Sequence, residues 1–432
     1  MPQAGQESII SEDEFRRLFV EQASTFLEFT NLLLQKEPRS WFKRHYSELV
    51  ARAHEIETFL DDFGARHNRS FAQLVELIAC LRGFGKVAVA LKHLGYRLSR
   101  YVTCLSPDWL KAFREETDRT EGFLDGSILA LVRAIHEELT ARRVTIPTGV
   151  RSDATVAEEG TRRLLPHDID GEVVVEEDAR IAEVATAYLD VADSFAWVAD
   201  AAPRTEAELR AFVLKQLDEE RSRDYEARVH SLQSRYDTYI AGTAAEKAND
   251  ALRGLRGHAS LALHLLEMGT ELVHFYVRHE NDVRLEGVKE RVARLIDKRL
   301  VLERAVGYAF RSACSILVEG KAFARETLRS FVKVCEVELP IPDGETLHAR
   351  PISLIVKVVQ HHGTHVEMSI GEERCSAGSI MEMIMAVGQA PDARSVGFQG
   401  DERPLGDLKA LFESGLGEGG MESLPDSLAY LR

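Results

Sequence analysis

Between Pro203 and Pro340 the chain has no proline at all. An interior proline costs a helix about 3 kcal/mol, so this long interval is where extended helices are tolerated, and its apolar spacing predicts that they form. It opens on Thr205-x-x-Glu208, a capping box in which each side chain satisfies an orphan amide of the other residue, followed by Leu209, Phe212 and Val213. Further on, Tyr225, Val229, Leu232, Tyr236 and Ile240 recur at steps of three and four and stack into one apolar stripe that needs partner helices. The first third reads the same way. Ser11-x-x-Glu14 is a second capping box, and Phe15, Leu18, Phe19, Phe26, Leu27 and Leu33 follow at helical spacing.

These patterns predict two mainly helical blocks, 10–147 and 183–333. The segment 74–102 resembles 250–277, sharing Leu-Arg-Gly and an aromatic, valine-terminated end, which suggests that the second block repeats the first. Between the blocks, 148–182 loses periodicity and gathers acids, Gly and Pro, as a linker does. Past residue 334 short β-favouring runs (Val334–Leu339, His365–Ile370, Ser395–Phe398) alternate with two helical segments, so a separate α/β module is expected, ending near 415 in a Gly-rich stretch and a tail, 416–432.

The 432 residues are 45% hydrophobic, enough to build several cores, and carry 54 basic against 70 acidic side chains, a net charge of −16. That field repels phosphate polymers and anionic bilayers, so neither nucleic acid nor a membrane is an expected partner. The five cysteines are scattered without metal-site or disulfide spacing, and no basic-then-apolar leader or run of about 18 apolar residues occurs. A cytoplasmic protein with reduced thiols is expected.

The chemistry lies in GETLHARPISLIVKVVQHHG. His348 immediately precedes Ile352, Ile355, Val356 and Val359 at helical spacing, with Pro351 in the first turn and Gly363 suited to a left-handed cap, so a helix is expected over about 349–362. A helix start presents free amides and a partial positive charge, both favourable to an anion. Ala349 and Arg350 would supply amides, and the Arg350 guanidinium a planar fork for phosphoryl oxygens on the His348 imidazole. His348 would then be the nucleophile, on either ring nitrogen, with positioning and charge stabilisation supplying the rate.

From about Glu336 to Gly415 the chain resembles HPr, the histidine-containing phosphocarrier family of the phosphoenolpyruvate-dependent sugar phosphotransferase system. The resemblance rests on a strand, Leu347-His348-Ala349-Arg350-Pro351, a hairpin around Gly371, and Ser379-Ile380-Met381. The family spaces its active histidine and regulatory serine 31 positions apart, and here 379 − 348 = 31. Thr346 departs from the family's usual glycine, and the loop before it is longer.

The resemblance implies that this module is an α+β open-faced sandwich of order β-α-β-β-α-β-α, so that with the helical reading before it the expected chain is multidomain, N-terminal all-α helical bundles followed by a C-terminal HPr-like sandwich. It implies a phosphocarrier rather than a stand-alone enzyme: His348 accepts a phosphoryl group from enzyme I and passes it to a sugar-specific acceptor protein, with no cofactor. It also implies that Ser379 is a serine-kinase site, although Ser379-x-x-Glu382 is equally a capping box. The helix 380–388 is apolar nearly all round, so Ile380, Met381 and Ile384 are expected to dock a partner, or else to seal against the helical region. A non-catalytic adaptor using that surface is the competing reading.

Three other clusters carry less. His361, His362 and His365 suit a solvated helix end better than a metal, Glu271-x-x-His274 lacks the second copy a di-metal bundle needs, and His264 lacks the continuation typical of helical phosphotransfer domains.

Overall fold

The computed structural model describes residues 9–149, 177–201, 203, 205–281, 287–342 and 346–432. The principal helices before residue 333 are α1 (Glu12–Gln35), α2 (Lys43–Asp62), α3 (Ala72–Leu98), α4 (Pro107–Ala141), α5 (Glu177–Phe195), α6 (Glu206–Lys215), α7 (Glu219–Tyr239), α8 (Asp250–Asn281) and α9 (Arg311–Phe331). The expected starts hold: Ser11 caps α1 by accepting from the Glu14 amide at 3.2 Å, and Thr205 and Glu208 cap α6 reciprocally.

Two expectations are corrected. Of the segment read as a linker, 150–176 lies outside the described residues, but 177–182 is helix. Glu177 and Asp178 are acids of the first turn of α5, placed where the dipole favours them, and Ile181 and Ala182 behind them are buried. The two helical blocks also do not fold on separate cores. One continuous core runs from Phe15 in α1 to Ala324 in α9.

Within it the helices pair in the same order twice. α1 packs on α2, α2 on α3, α3 on α4 and α4 back on α1, while α5 packs on α7, α7 on α8, α8 on α9 and α9 back on α5. The look-alike helices α3 and α8 join the two halves and run antiparallel, with Cys80 against His279 (3.2 Å), the Phe84 and Phe275 rings 5.0 Å apart, and the Tyr101 hydroxyl 2.9 Å from Ser260. Aligning Leu81-Arg82-Gly83 with Leu252-Arg253-Gly254 gives an offset of 252 − 81 = 171, and 264 − 93 is also 171. His93 and His264 therefore occupy matching places, and their rings meet edge-on at 4.6 Å, where a two-fold relating the helices would pass.

After α9 the chain alternates β1 (Val334–Pro340), α10 (Ala349–His362), β2 (Val366–Ile370), β3 (Glu373–Ser376), α11 (Ile380–Gln389), β4 (Ser395–Asp401) and α12 (Glu402–Glu413). The strands form one antiparallel sheet in the order β1-β4-β2-β3, with Val337 opposite Phe398 and Met368 opposite the same residue on the other side. Along β2 burial alternates: Val366, Met368 and Ile370 enter the core while Glu367 and Ser369 stay half-open, so helices cover one face of the sheet. The stretch read as a tail is part of this module. Leu416, Leu424, Leu428 and Leu431 are buried in its core, and Tyr430 stacks on His361 with ring centroids 3.6 Å apart.

The module's core shares no residue with the helical core. Between them, residues of α5 and of 331–333 face His361, His362, Arg403 and Asp407 across a cleft of about 780 Å³. Among the described residues no helix is long and apolar enough to cross a membrane.

Candidate functional site

The helix expected over 349–362 is α10, with those bounds. Leu347, buried against the module core, anchors the approach, and Gly363 closes the helix at φ 63° with its amide on the Val359 carbonyl. His348 is the N-cap. Its extended backbone (φ −92°, ψ −172°) turns the chain into the helix, and its ring folds back so that Nδ1 accepts from the Arg350 amide at 3.4 Å. Capping by imidazole is less common than by Ser, Thr, Asp or Asn. It leaves a reactive ring, half exposed (51%), over the first amides of the helix.

Ala349 and Arg350 are the first two helical residues, whose amides have no carbonyl one turn back to pair with. The Arg350 side chain is exposed and has no carboxylate partner among the described residues. Histidine nucleophile, amides and free guanidinium thus stand at one helix mouth.

One participant was not read from the sequence. Glu418 brings Oε1 to 3.1 Å from His348 Nε2, off the N–H line, so that this oxygen, shielded from solvent, has no hydrogen bond of its own. The loop that delivers it is built for close approach. Gly415, Leu416 and Gly417 all have positive φ (74°, 54° and 73°), and Leu416 holds this strained conformation while fully buried. A Cβ on Gly417 would stand 2.7 Å from Leu354 of α10, so only glycine lets the loop lie against that helix. Glu418 lies seventy positions from His348 (418 − 348 = 70), and its only sequence signal was the Gly-rich stretch itself.

Ser379 caps α11 by accepting from the Glu382 amide at 3.4 Å, while the Glu382 carboxylate turns to the Ser376 amide. It does not join His348. A Cβ on its neighbour Gly378 would touch Val359, eleven residues along α10 (359 − 348 = 11) and therefore about 16 Å from the helix start. On α11, Met383 and Ala386 are buried, whereas Ile380, Met381, Ile384 and Met385 are exposed, Met381 by 69%. Among the described residues the helical region leaves these four side chains exposed.

Of the other histidines singled out, His365 is exposed and the rest have partners. His361 stacks on Tyr430, His362 meets Asp407 at 2.8 Å, His274 meets Glu219 at 2.9 Å, and Glu271 pairs with Lys86 at 3.6 Å. His264 Nδ1 lies 2.9 Å from Glu267. Among the described residues no group of three or more His, Cys, Asp or Glu is arranged to hold a metal.

Fold and site together define an α+β module that presents a cap histidine beside an unpaired guanidinium. Comparison with family models, with curated proteins and with solved structures returned no match.

Proposed function

We propose that residues 334–432 form an HPr-like phosphocarrier, with His348 taking a phosphoryl group from enzyme I and giving it to a sugar-specific acceptor protein. The observation that carries this reading is the histidine cap itself: a solvent-accessible imidazole held at Nδ1 by the Arg350 amide at a helix start, with the Arg350 guanidinium beside it unpaired among the described residues. The β-α-β-β-α-β-α order and the 1-4-2-3 sheet support the open-faced sandwich that this family uses.

Because Nδ1 accepts from the Arg350 amide, the neutral ring carries its proton on Nε2, toward Glu418. The Nδ1 lone pair attacks the phosphorus of the donor's phosphohistidine. One P–N bond forms as the donor's P–N bond breaks, and the Nε2 proton stays in place. The Ala349 and Arg350 amides and the Arg350 fork then face the new phosphoryl oxygens, where pre-aimed donors lower the barrier. Glu418, 3.1 Å from Nε2, steadies the charge that phosphorylation places on the imidazole. The exposed face of Ile380, Met381 and Ile384 is the docking surface for donor and acceptor. Ser379, at a helix start where a phosphate is electrostatically favoured, is the site on which a serine kinase would act.

Incubation of the full chain with phosphoenolpyruvate and enzyme I, followed by intact-mass analysis, should show one acid-labile addition of a phosphoryl group. Absence of the addition in the full chain and in the 334–432 fragment alike would leave the adaptor reading, which the same exposed apolar face serves.

A further inference from the structure

The junction between the two halves of the helical region holds a cavity of about 500 Å³, walled by α2, α3, α7 and α8. No residue of 334–432 borders it, so a ligand held there is independent of phosphoryl transfer at His348. Its apolar wall is Val50, Val87, Val89 and Ala90. At one end Lys43, the first residue of α2, sets its ammonium 2.8 Å from His93 Nδ1. His93 in turn meets the ring of His264.

This end carries the positive charge of Lys43, with Glu267, which meets His264 at 2.9 Å, on the lining nearby. Among the described residues no carboxylate lies within ion-pair distance of Lys43, and the start of α2 adds the positive end of its dipole. Burial, helped by the neighbouring Arg97, holds the Lys43 ammonium below the usual lysine range. Burial first, then the charges of His264, Lys43 and Arg97, brings His93 down to about 4, with Glu267 alone opposing. His93 is thus a neutral ring that accepts from Lys43 at Nδ1 and has its N–H at Nε2 to offer. On the opposite side Glu226 and Glu271 line the cavity together with Arg223 and with Lys86, which pairs with Glu271 at 3.6 Å. Thr270, also on the lining and 3% exposed, has a hydroxyl without a hydrogen-bond partner. A buried orphan hydroxyl is an unmet cost that a ligand, or a water held with it, would relieve.

The geometry points to a binding site for a small phosphomonoester that carries hydroxyl groups, its phosphoryl at the Lys43–His93 end and its hydroxyls donating to Glu226 and Glu271. A phosphoryl group brings the charge and the several acceptors that an ammonium, an imidazole N–H and a helix start supply together. The carboxylates opposite accept from hydroxyls. The carbon skeleton would lie on the valine wall, and the volume is in the range of small-molecule sites.

The test is titration calorimetry of the full chain with glucose 6-phosphate, inorganic phosphate and glucose as probes. Saturable binding of glucose 6-phosphate, weaker binding of inorganic phosphate and none of glucose is expected. Lys43→Gln and His93→Gln should each weaken glucose 6-phosphate at least tenfold with the circular dichroism spectrum unchanged. Glu226→Gln should weaken glucose 6-phosphate while leaving inorganic phosphate untouched. No heat with either phosphate at millimolar concentration, or affinities unchanged in both Lys43→Gln and His93→Gln, would overturn the assignment of this cavity. Equal loss of both phosphates in Glu226→Gln would overturn the place given to the hydroxyls.

Discussion

The helical region and the α+β module use the same residue types in opposite ways. In the first, ionisable side chains are largely committed to partners: Glu76 to Arg278, Glu138 to Arg291, His274 to Glu219, His264 to Glu267. Its apolar stripes are closed into one core. In the module, the key histidine sits half exposed at a helix start, the arginine beside it has no carboxylate partner among the described residues, and one helix turns four large apolar side chains to solvent. A large core can bind up its charges because many helices supply partners. A small one with a single covered sheet face leaves surface over, and here that surface coincides with the reactive group. The contrast separates a region whose charges are paired around one core from a module that leaves a histidine and an apolar helix face exposed.

The sharpest way to break this division is to remove the histidine cap. His348→Ala should abolish acid-labile labelling by phosphoenolpyruvate and enzyme I completely, while the thermal unfolding of the helical region stays where it was. Residual labelling would place the acceptor on another histidine, His361, His362 and His365 of the module included. The next largest effect belongs to the helical core. Phe310, fully buried, lies so close to Gly269 that a Cβ there would stand 2.7 Å from its ring. Phe310→Ala should cost the helical region about 3–5 kcal/mol in urea unfolding and leave labelling at His348 intact. Loss of labelling in step with that unfolding would show that the two cores do not act separately.

A smaller, pH-dependent effect tests how costly committed charges are in the large core. Asp125 is buried at the end of a 2.5 Å bond from the Tyr46 hydroxyl, and burial lifts its carboxyl to about 6 against 3.8 for the free group. The folded chain therefore holds this proton more tightly than the unfolded one. The resulting stability is fully present below pH 3.8 and is lost as pH rises through 6. Asp125→Asn keeps an acceptor for Tyr46 and cannot ionise. Its stability relative to the parent should therefore improve between pH 4 and pH 7.5, by about 1–3 kcal/mol. A difference that does not change with pH would mean that water reaches the carboxylate.

Locality decides how much of the molecule is legible in its sequence. The bounds of α10, with His348 before it, Pro351 in its first turn and Gly363 after it, are set by capping chemistry within a few residues, and each stands as expected. The single core did not show in the sequence, because two stripes at helical spacing do not say which stripe meets which. The start of α5 was lost for a related reason: its first-turn acids looked like the end of an acidic linker until Ile181 and Ala182 were seen to be buried. Glu418 and the Lys43–His93–His264 contact are tertiary events between distant segments. Each left a faint trace, the first in the Gly-rich stretch around Glu418 and the second in the shared interval between the Leu-Arg-Gly and His positions of α3 and α8.

The smallest expected effect decides how far Ser379 belongs to the reactive end of the module. Its hydroxyl accepts from the Glu382 amide at 3.4 Å, a long bond, so Ser379→Ala should cost the module about 0.5–1 kcal/mol and no more. Ser379→Asp preserves an acceptor and adds a negative charge where the start of α11 favours one, so it should restore that stability. Because Ser379 lies beside the Val359 end of α10 and His348 at the other, neither variant should change the rate at which a minimal phosphoryl donor labels His348. Enzyme I, which would need the exposed face of α11 next to Ser379, should label the Asp variant more slowly than the Ala variant. Equal enzyme I rates in the two would detach that face from donor docking, and a change with the small donor would mean that the two helix starts communicate through the module core.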